Sequence, residues 1–391
     1  MTEGDNPDAT VESTTPEELH ERIESGEEVF LLDVRSESDF GEWRIEGEAV
    51  ETVNYPYFEL LDGLPADLLG DLPEDRPITV LCGKGGSSEM VAEQLQDAGY
   101  DVDHLEGGMK GWARIYDYRE LDAAVDATVA QYQRPSSGCL AYLVVSDGEA
   151  AVIDPLRAFT DEYVQDARTL GADLTYAIDT HVHADHVSGI RDLAAETDAT
   201  AVLPEAAAGR GVDYDAPYET VADGDVLTVG DVKIEVLHTP GHTTGMTAYR
   251  VGDVLFTGDG LFTESVARPD LEDPEAAKDA ARVLYESLQE TVLALPDETV
   301  VAPAHFSDAA DPAADGTYTA ALGDLRERMD ALSMDEEAFV EFIVRDMPPR
   351  PANYEEIIAT NLGQAAPDDE EAFELELGPN NCAASEQALT N

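Results

Sequence analysis

Three short apolar runs, at 29–34, 78–81 and 102–105, punctuate the first third of the chain, each of strand length. Thr15-Pro16-Glu17-Glu18 reads as a helix start, with Thr15 as N-cap and Pro16 in the first turn. Residues 87–98 place apolar side chains at helical spacing and stop at Gly99. Strands alternating with helices predict a parallel α/β sheet, ending near Tyr118. Residues 119–137, rich in Asp, Gln and Ser, read as a polar connection. A second pattern opens at Gly138: runs at 140–145 and 150–153 predict strands joined by a turn at Asp147-Gly148. Further strand-length runs follow at 174–178, 232–237, 254–256 and 300–302. From 317 to about 347 the pattern is helical, until Pro348, Pro349 and Pro351 interrupt it. The expected division is an acidic leader (1–15), an α/β domain (16–118), a connection (119–137), a second domain with a C-terminal helical segment (138–363) and a mobile acidic tail (364–391).

Composition narrows the setting. At roughly 150 residues per domain, 391 residues suggest two or three domains, and 43% hydrophobic content is enough to pack them. There are 85 acidic residues against 22 basic ones, a net charge of −63. Such a chain repels itself at low ionic strength and is relieved by salt, a balance that resembles proteins of halophilic organisms. The same charge argues against nucleic acid and anionic membrane surfaces as partners. No apolar run reaches the roughly 18 residues of a membrane span, and the N-terminus lacks the basic and apolar regions of a secretory signal. The three cysteines, Cys82, Cys139 and Cys382, form no disulfide framework and fit a reducing compartment. The expected location is cytoplasmic. The oligomeric state is left open, and a homodimer is compatible with the sequence.

The candidate chemistry lies in the histidines. Six of the eight fall in three tight places: His181, His183 and His186 in THVHADH, His238 and His242 in HTPGH, and His305 in APAH. Each place follows an apolar run, and Asp259, in FTGD, follows another. Strand ends that open on one edge of a sheet can aim several short side chains at one spot, and imidazole with carboxylate suits zinc or iron. In His-x-His an extended backbone puts both rings on one side. Asp185 and His186 are expected to begin the next helix and reach the same region. His238 reads as a structural residue of its loop.

These residues resemble the metallo-β-lactamase superfamily over about 138–305, with THVHADH as a highly specific motif. The resemblance implies an αββα sandwich with a metal site at one edge of its two sheets. It places His181, His183, Asp185, His186, His242, Asp259 and His305 in metal-binding positions, with Asp185 also among the catalytic residues.

Cys82-Gly83-Lys84-Gly85-Gly86-Ser87-Ser88 joins a strand to a helix. Glycine-rich backbone there can curl its N–H groups around one atom, and the helix N-terminus adds positive potential, so Cys82 is expected to be nucleophilic. LLDVRSESDFGEWRIEGEAV and DHLEGGMKGW resemble the opening and the end of rhodanese domains. That resemblance spans about 15–118 and implies an α/β rhodanese-like domain ahead of the sandwich, with Cys82 carrying a persulfide sulfur. Family members usually have Arg where this chain has Ser87, which weakens thiosulfate as a donor, and Lys84 partly compensates in binding the anionic substrate.

The resemblances imply two enzyme readings and one of another class. Seven ligands suit one or two zinc ions, with a bridging hydroxide attacking a thioester, as in glyoxalase II, which HTPGHT resembles. Alternatively His181, His242 and Asp259 form a two-histidine, one-carboxylate face on a single Fe(II), as in persulfide dioxygenases, which oxidise a small thiol persulfide to sulfite with O₂. A persulfide-carrying domain in the same chain favours the second reading, because linkage raises effective concentration. GLFTESVARPDLE and PRPANYEEIIATNLG also resemble that branch, with Arg268 expected to bind a substrate carboxylate. The third reading is a non-catalytic sulfur carrier or sensor with a structural metal.

Overall fold

The apolar runs of the N-terminal third pair as a five-stranded sheet. Its strands are β1 (Glu12–Thr14), β2 (Val29–Asp33), β3 (Val50–Asn54), β4 (Ile78–Leu81) and β5 (Val102–Leu105), in the order β1-β5-β4-β2-β3. Every pairing is parallel. β2 and β4 are buried along their whole length, which is why they read as continuous rather than alternating apolar runs. Phe30, Leu32, Val80 and Val91 pack on one face, and Leu31, Leu81, Leu105 and Trp112 on the other. This is a computed structural model describing residues 11–307, 309–345 and 347–384, and it divides the chain into the units Met1–Ile115 and Tyr116–Asn391. No described helix is long and apolar enough to cross a membrane.

The second unit holds two sheets. One contains β6 (Asp117–Glu120), β7 (Thr128–Arg134), β8 (Cys139–Ser146), β9 (Glu149–Ile153), β10 (Asp173–Ile178), β11 (Thr200–Pro204) and β12 (Glu219–Val221), in the order β12-β11-β10-β9-β8-β7-β6. The other contains β13 (Val226–Val229), β14 (Val232–His238), β15 (Thr247–Val251), β16 (Val254–Gly258), β17 (Val300–Pro303) and β18 (Ala320–Ala321), paired in chain order. Leu140, Tyr142, Ile153 and Ile178 of the first sheet meet Ile234, Val236, Tyr249 and Phe256 of the second, and each such burial contributes about 1.5–3 kcal/mol. β14 alternates as its sequence does: Val232, Ile234 and Val236 point inward while Lys233 and Glu235 are exposed. Helices Thr160–Thr169 and Ile190–Glu196 cover the outer face of the first sheet. Ala277–Glu286, Leu322–Arg328 and Glu336–Ile343 cover that of the second, so the layers run αββα.

Four local expectations change. Residues 119–137 are not a bare connection: β7 lies there, paired with β8 through seven residues that bury Val129 and Tyr132. Part of the expected leader is the edge strand β1, held by β5, while residues 1–10 lie outside the described residues. The expected helix from 317 to 347 is broken into Leu322–Arg328 and Glu336–Ile343 by a 3₁₀ turn at Asp330–Ser333. The expected tail forms the helix Asp369–Leu375 and buries Phe373, Glu376 and Cys382, the last packed with Ala184 and Phe262; residues 385–391 lie outside the described residues.

Candidate metal centre

All seven residues picked from the sequence converge at the ends of strands. His181, His183, Asp185 and His186 follow β10, His242 follows β14, Asp259 follows β16 and His305 follows β17. Each is 5% exposed or less. Gly258 makes the turn that aims Asp259: its φ is +51°, and a Cβ there would meet Met246 and the Thr180 hydroxyl at 2.3 and 2.6 Å. Asp185 and His186 do not start a helix as expected. The helix begins at Ile190, and residues 181–189 form an irregular, buried loop.

Hydrogen bonds set each imidazole. The Thr180 hydroxyl donates to Asp154 Oδ2 (2.9 Å), so it accepts from His181 Nδ1–H (2.9 Å) and leaves the lone pair on His181 Nε2. His242 Nδ1–H donates to the Arg268 carbonyl (2.8 Å), again leaving Nε2. His183 Nε2–H donates to Asp154 Oδ1 (3.0 Å), leaving Nδ1, and His186 Nδ1–H donates to Asp185 Oδ2 (2.9 Å), leaving Nε2. Burial pushes the His181 and His242 imidazoles down, His181 strongly, so both are neutral donors to a cation.

His305 behaves differently. Its Nδ1 bonds Asp259 Oδ1 (2.5 Å) and its Nε2 bonds Asp185 Oδ2 (2.6 Å). Burial alone would lower it, but the charges of Asp259 and Asp185 raise it well above the ordinary imidazole value. Burial would likewise raise both carboxylates, yet His305 holds Asp259 low, and His305 with His186 holds Asp185 well below the usual range. His305 thus keeps two anions in one dry place.

The donor set fits a cation. His181 Nε2, His183 Nδ1, Asp185 Oδ1, His186 Nε2, His242 Nε2 and Asp259 Oδ2 are buried and have no hydrogen-bond partner. Each such orphan costs about 1–3 kcal/mol, so six approach the whole stability of a domain, about 5–15 kcal/mol, unless something binds them. Asp259 Oδ2 lies 3.6 Å from His181 Nε2 and 3.5 Å from His242 Nε2. Ligands about 2.1 Å from one ion stand roughly 3.0–3.4 Å apart. Asp185, His186 and His305 form a neighbouring donor group.

Several supporting residues escaped the sequence reading. Asp154, at the end of β9 with φ +53°, accepts from Thr180 N, the Thr180 hydroxyl and His183. Its only sequence signal was an Asp-Pro pair closing an apolar run. Asp179, whose carboxyl burial pushes up to about 7, accepts from the Ser188 hydroxyl (2.8 Å). Cys139 opens β8 and its sulfur lies 3.2 Å from Asp185 Oδ2, within the Asp185–His186–His305 group. Cys382 joins Asp185, Asp259 and His305. Arg268 corrects an expectation: it is 1% exposed, and four of its donors are committed to Asp270 (2.7 and 3.1 Å) and to the carbonyls of Pro349 (2.8 Å) and Asn381 (2.9 Å). That leaves no open fork for a substrate carboxylate. Arg268 instead fixes the chain whose carbonyl orients His242.

In the N-terminal unit, Cys82 directly follows β4 and its sulfur accepts from Gly85 N–H (3.1 Å), with the Ser88 hydroxyl at 3.4 Å. The helix Gly86–Asp97 starts beside it, with Lys84 exposed and Ser87 half-exposed. The carbonyls of Cys82 and Gly83 accept from Met109 N (2.8 Å) and Lys110 N (3.0 Å), which packs EGGMKGW under the loop. Gly108 is needed there: its φ is +57°, and a Cβ would stand 2.1 Å from the Cys82 carbonyl oxygen.

Comparison with known proteins agrees with both halves. A model of the metallo-beta-lactamase superfamily matches residues 135–305, and one of the rhodanese-like domain matches 15–115. The chain is 27% identical over 216 residues to the mitochondrial persulfide dioxygenase ETHE1 of Bos taurus, covering 55% of this chain and 78% of that protein. It is 31% identical over 186 residues to a hydroxyacylglutathione hydrolase of Erythrobacter litoralis, covering 46% of this chain and 71% of that protein. The crystal structure of ETHE1 from Myxococcus xanthus superposes with a TM-score of 0.50 at 27% identity, covering 64% of this chain and 100% of the other. With the sandwich, the convergent donors and these likenesses together, the chain belongs to the metallo-beta-lactamase superfamily of enzymes and carries a rhodanese-like domain ahead of the metal-binding fold.

Proposed function

We propose that this enzyme oxidises a small thiol persulfide with O₂ at a single Fe(II) held by His181, His242 and Asp259. The observation that carries the reading is the trio of orphaned atoms, His181 Nε2, His242 Nε2 and Asp259 Oδ2, grouped in one buried spot. A ferrous ion on a two-histidine, one-carboxylate face supplies activation of O₂ toward a sulfur substrate. The reaction consumes one persulfide, one O₂ and one water, and yields one thiol, one sulfite and two protons. Asp185 serves the centre as a carboxylate that accepts from His186 Nδ1–H and His305 Nε2–H and so holds their protons beside the metal position. Cys82 would take the outer sulfur of a donor persulfide, forming its own S–S bond as the donor leaves as thiolate. Ser87 in place of arginine favours a persulfide donor over thiosulfate, with Lys84 as the nearby cation.

A second reading has an observation of its own. Asp185, His186 and His305, with Cys139, could hold a further ion beside the first, and one or two zinc ions there would suit thioester hydrolysis. One experiment separates the two: metal content after anaerobic purification, paired with O₂ uptake on adding a persulfide. Iron with uptake is expected. Zinc with cleavage of a hydroxyacyl-thioester would replace the dioxygenase by the hydrolase.

The charge gives an independent expectation. With −63 formal charges, thermal stability and activity should persist or rise from low salt to molar KCl, as screening relieves self-repulsion. An activity optimum in dilute buffer would contradict the halophilic reading.

A further inference from the structure

The metal-binding loop is supported from the far end of the chain. Residues 181–189 are buried yet make no regular helix or strand, so their backbone groups need other partners. The Asn361 amide, 3% exposed, supplies three: its Nδ2 donates to the carbonyls of His183 (3.0 Å) and His186 (2.8 Å), and its Oδ1 accepts from Ser188 N–H (2.9 Å). Glu376 supplies a fourth, accepting from Val187 N–H (2.8 Å). Glu376 is itself held by the buried Arg134 (2.7 Å), whose guanidinium lies over the rings of Phe159 and Phe373 at 5.4 and 5.3 Å. Both residues sit at the C-terminal ends of short helices, Tyr354–Asn361 and Asp369–Leu375. By contrast, His181 and His242 are set by Thr180 and by the Arg268 carbonyl.

We propose that Asn361, backed by Glu376, is a positioning residue of the metal centre: it fixes the backbone that aims His183, Asp185 and His186, and so makes cation affinity depend on the C-terminal segment. Ligands must be held within about 0.5 Å to bind productively, and an amide bonded to three groups of one loop meets that demand. The inference rests on the site being a metal centre and not on which reaction it runs, so failure of the dioxygenase reading leaves it standing.

The test uses the metal-stripped full chain in molar KCl, titrated with Co²⁺ against a chelator. Asn361→Asp keeps the acceptor for Ser188 but turns a carboxylate oxygen toward two carbonyls. It should weaken Co²⁺ affinity by about 10–100-fold, the usual loss for an outer partner, and should shift the visible Co²⁺ bands. A merely structural role would lower the melting temperature of the stripped protein without moving those bands. Glu376→Gln should change affinity in the same direction by a smaller factor. A folded Asn361→Asp protein with the original affinity and spectrum overturns the proposal. Should that variant not fold, the same result for Glu376→Gln overturns it.

Discussion

His242→Ala should empty the metal centre and lower turnover by at least ~100-fold, beyond the 10–100-fold cost of losing an outer partner. The side chain brings one of three grouped orphan atoms, and its ring is locked with Nε2 free by the bond to the Arg268 carbonyl. Alanine removes the donor and leaves that carbonyl without its partner. The same outcome is expected for His181→Ala and Asp259→Ala, with an added effect for Asp259, since His305 would lose one of its two carboxylate partners. Metal analysis and turnover should fall together. Full metal content and full activity in any of the three would reject the assignment of that residue.

Cys82→Ser should abolish sulfur transfer to the N-terminal domain and spare oxidation of small free persulfides. Serine is nearly isosteric, and its oxygen can accept the Gly85 N–H that now reaches the sulfur, so the loop should keep its shape. What it cannot do is form a persulfide, because the nucleophile that attacks sulfane sulfur is a thiolate. The measurement pairs sulfur uptake from a persulfide donor with O₂ consumption on a small persulfide supplied directly. Collapse of both would mean that the two sites do not work separately. Cys82 and the metal centre lie in different compact units, which is the physical ground for expecting separable defects.

Much of the site was legible because its residues are written locally. THVHADH lies on a few consecutive residues after one strand, and HTPGH, FTGD and APAH each close another, so the donors could be named from motif and strand ends alone. Arg268 was misjudged for the converse reason. Its charge invites a substrate carboxylate; Asp270 two residues on takes two of its bonds, but the other two go to the Pro349 and Asn381 carbonyls, 81 and 113 residues away, which no local pattern records. The stretch 119–137 misled because a strand paired on both sides with other strands need not look apolar: Gln131, Gln133 and Arg134 are buried there with polar partners.

The sequence by itself determined the kinds of donor, the strand ends that carry them, the glycine-rich cysteine loop and the acidic surface, since each is a property of neighbouring residues. Tertiary structure alone decided which nitrogen of each buried imidazole is left without a hydrogen bond, that Arg268 is committed to Asp270 and two carbonyls, and that Asn361 and Glu376 bond the backbone of residues 183–188. Those outcomes depend on single hydrogen bonds between residues brought together only by folding, such as the 178 positions separating Asn361 from the His183 carbonyl it holds. A hydrogen bond is made or lost over less than an ångström, a precision that spacing along a chain does not carry.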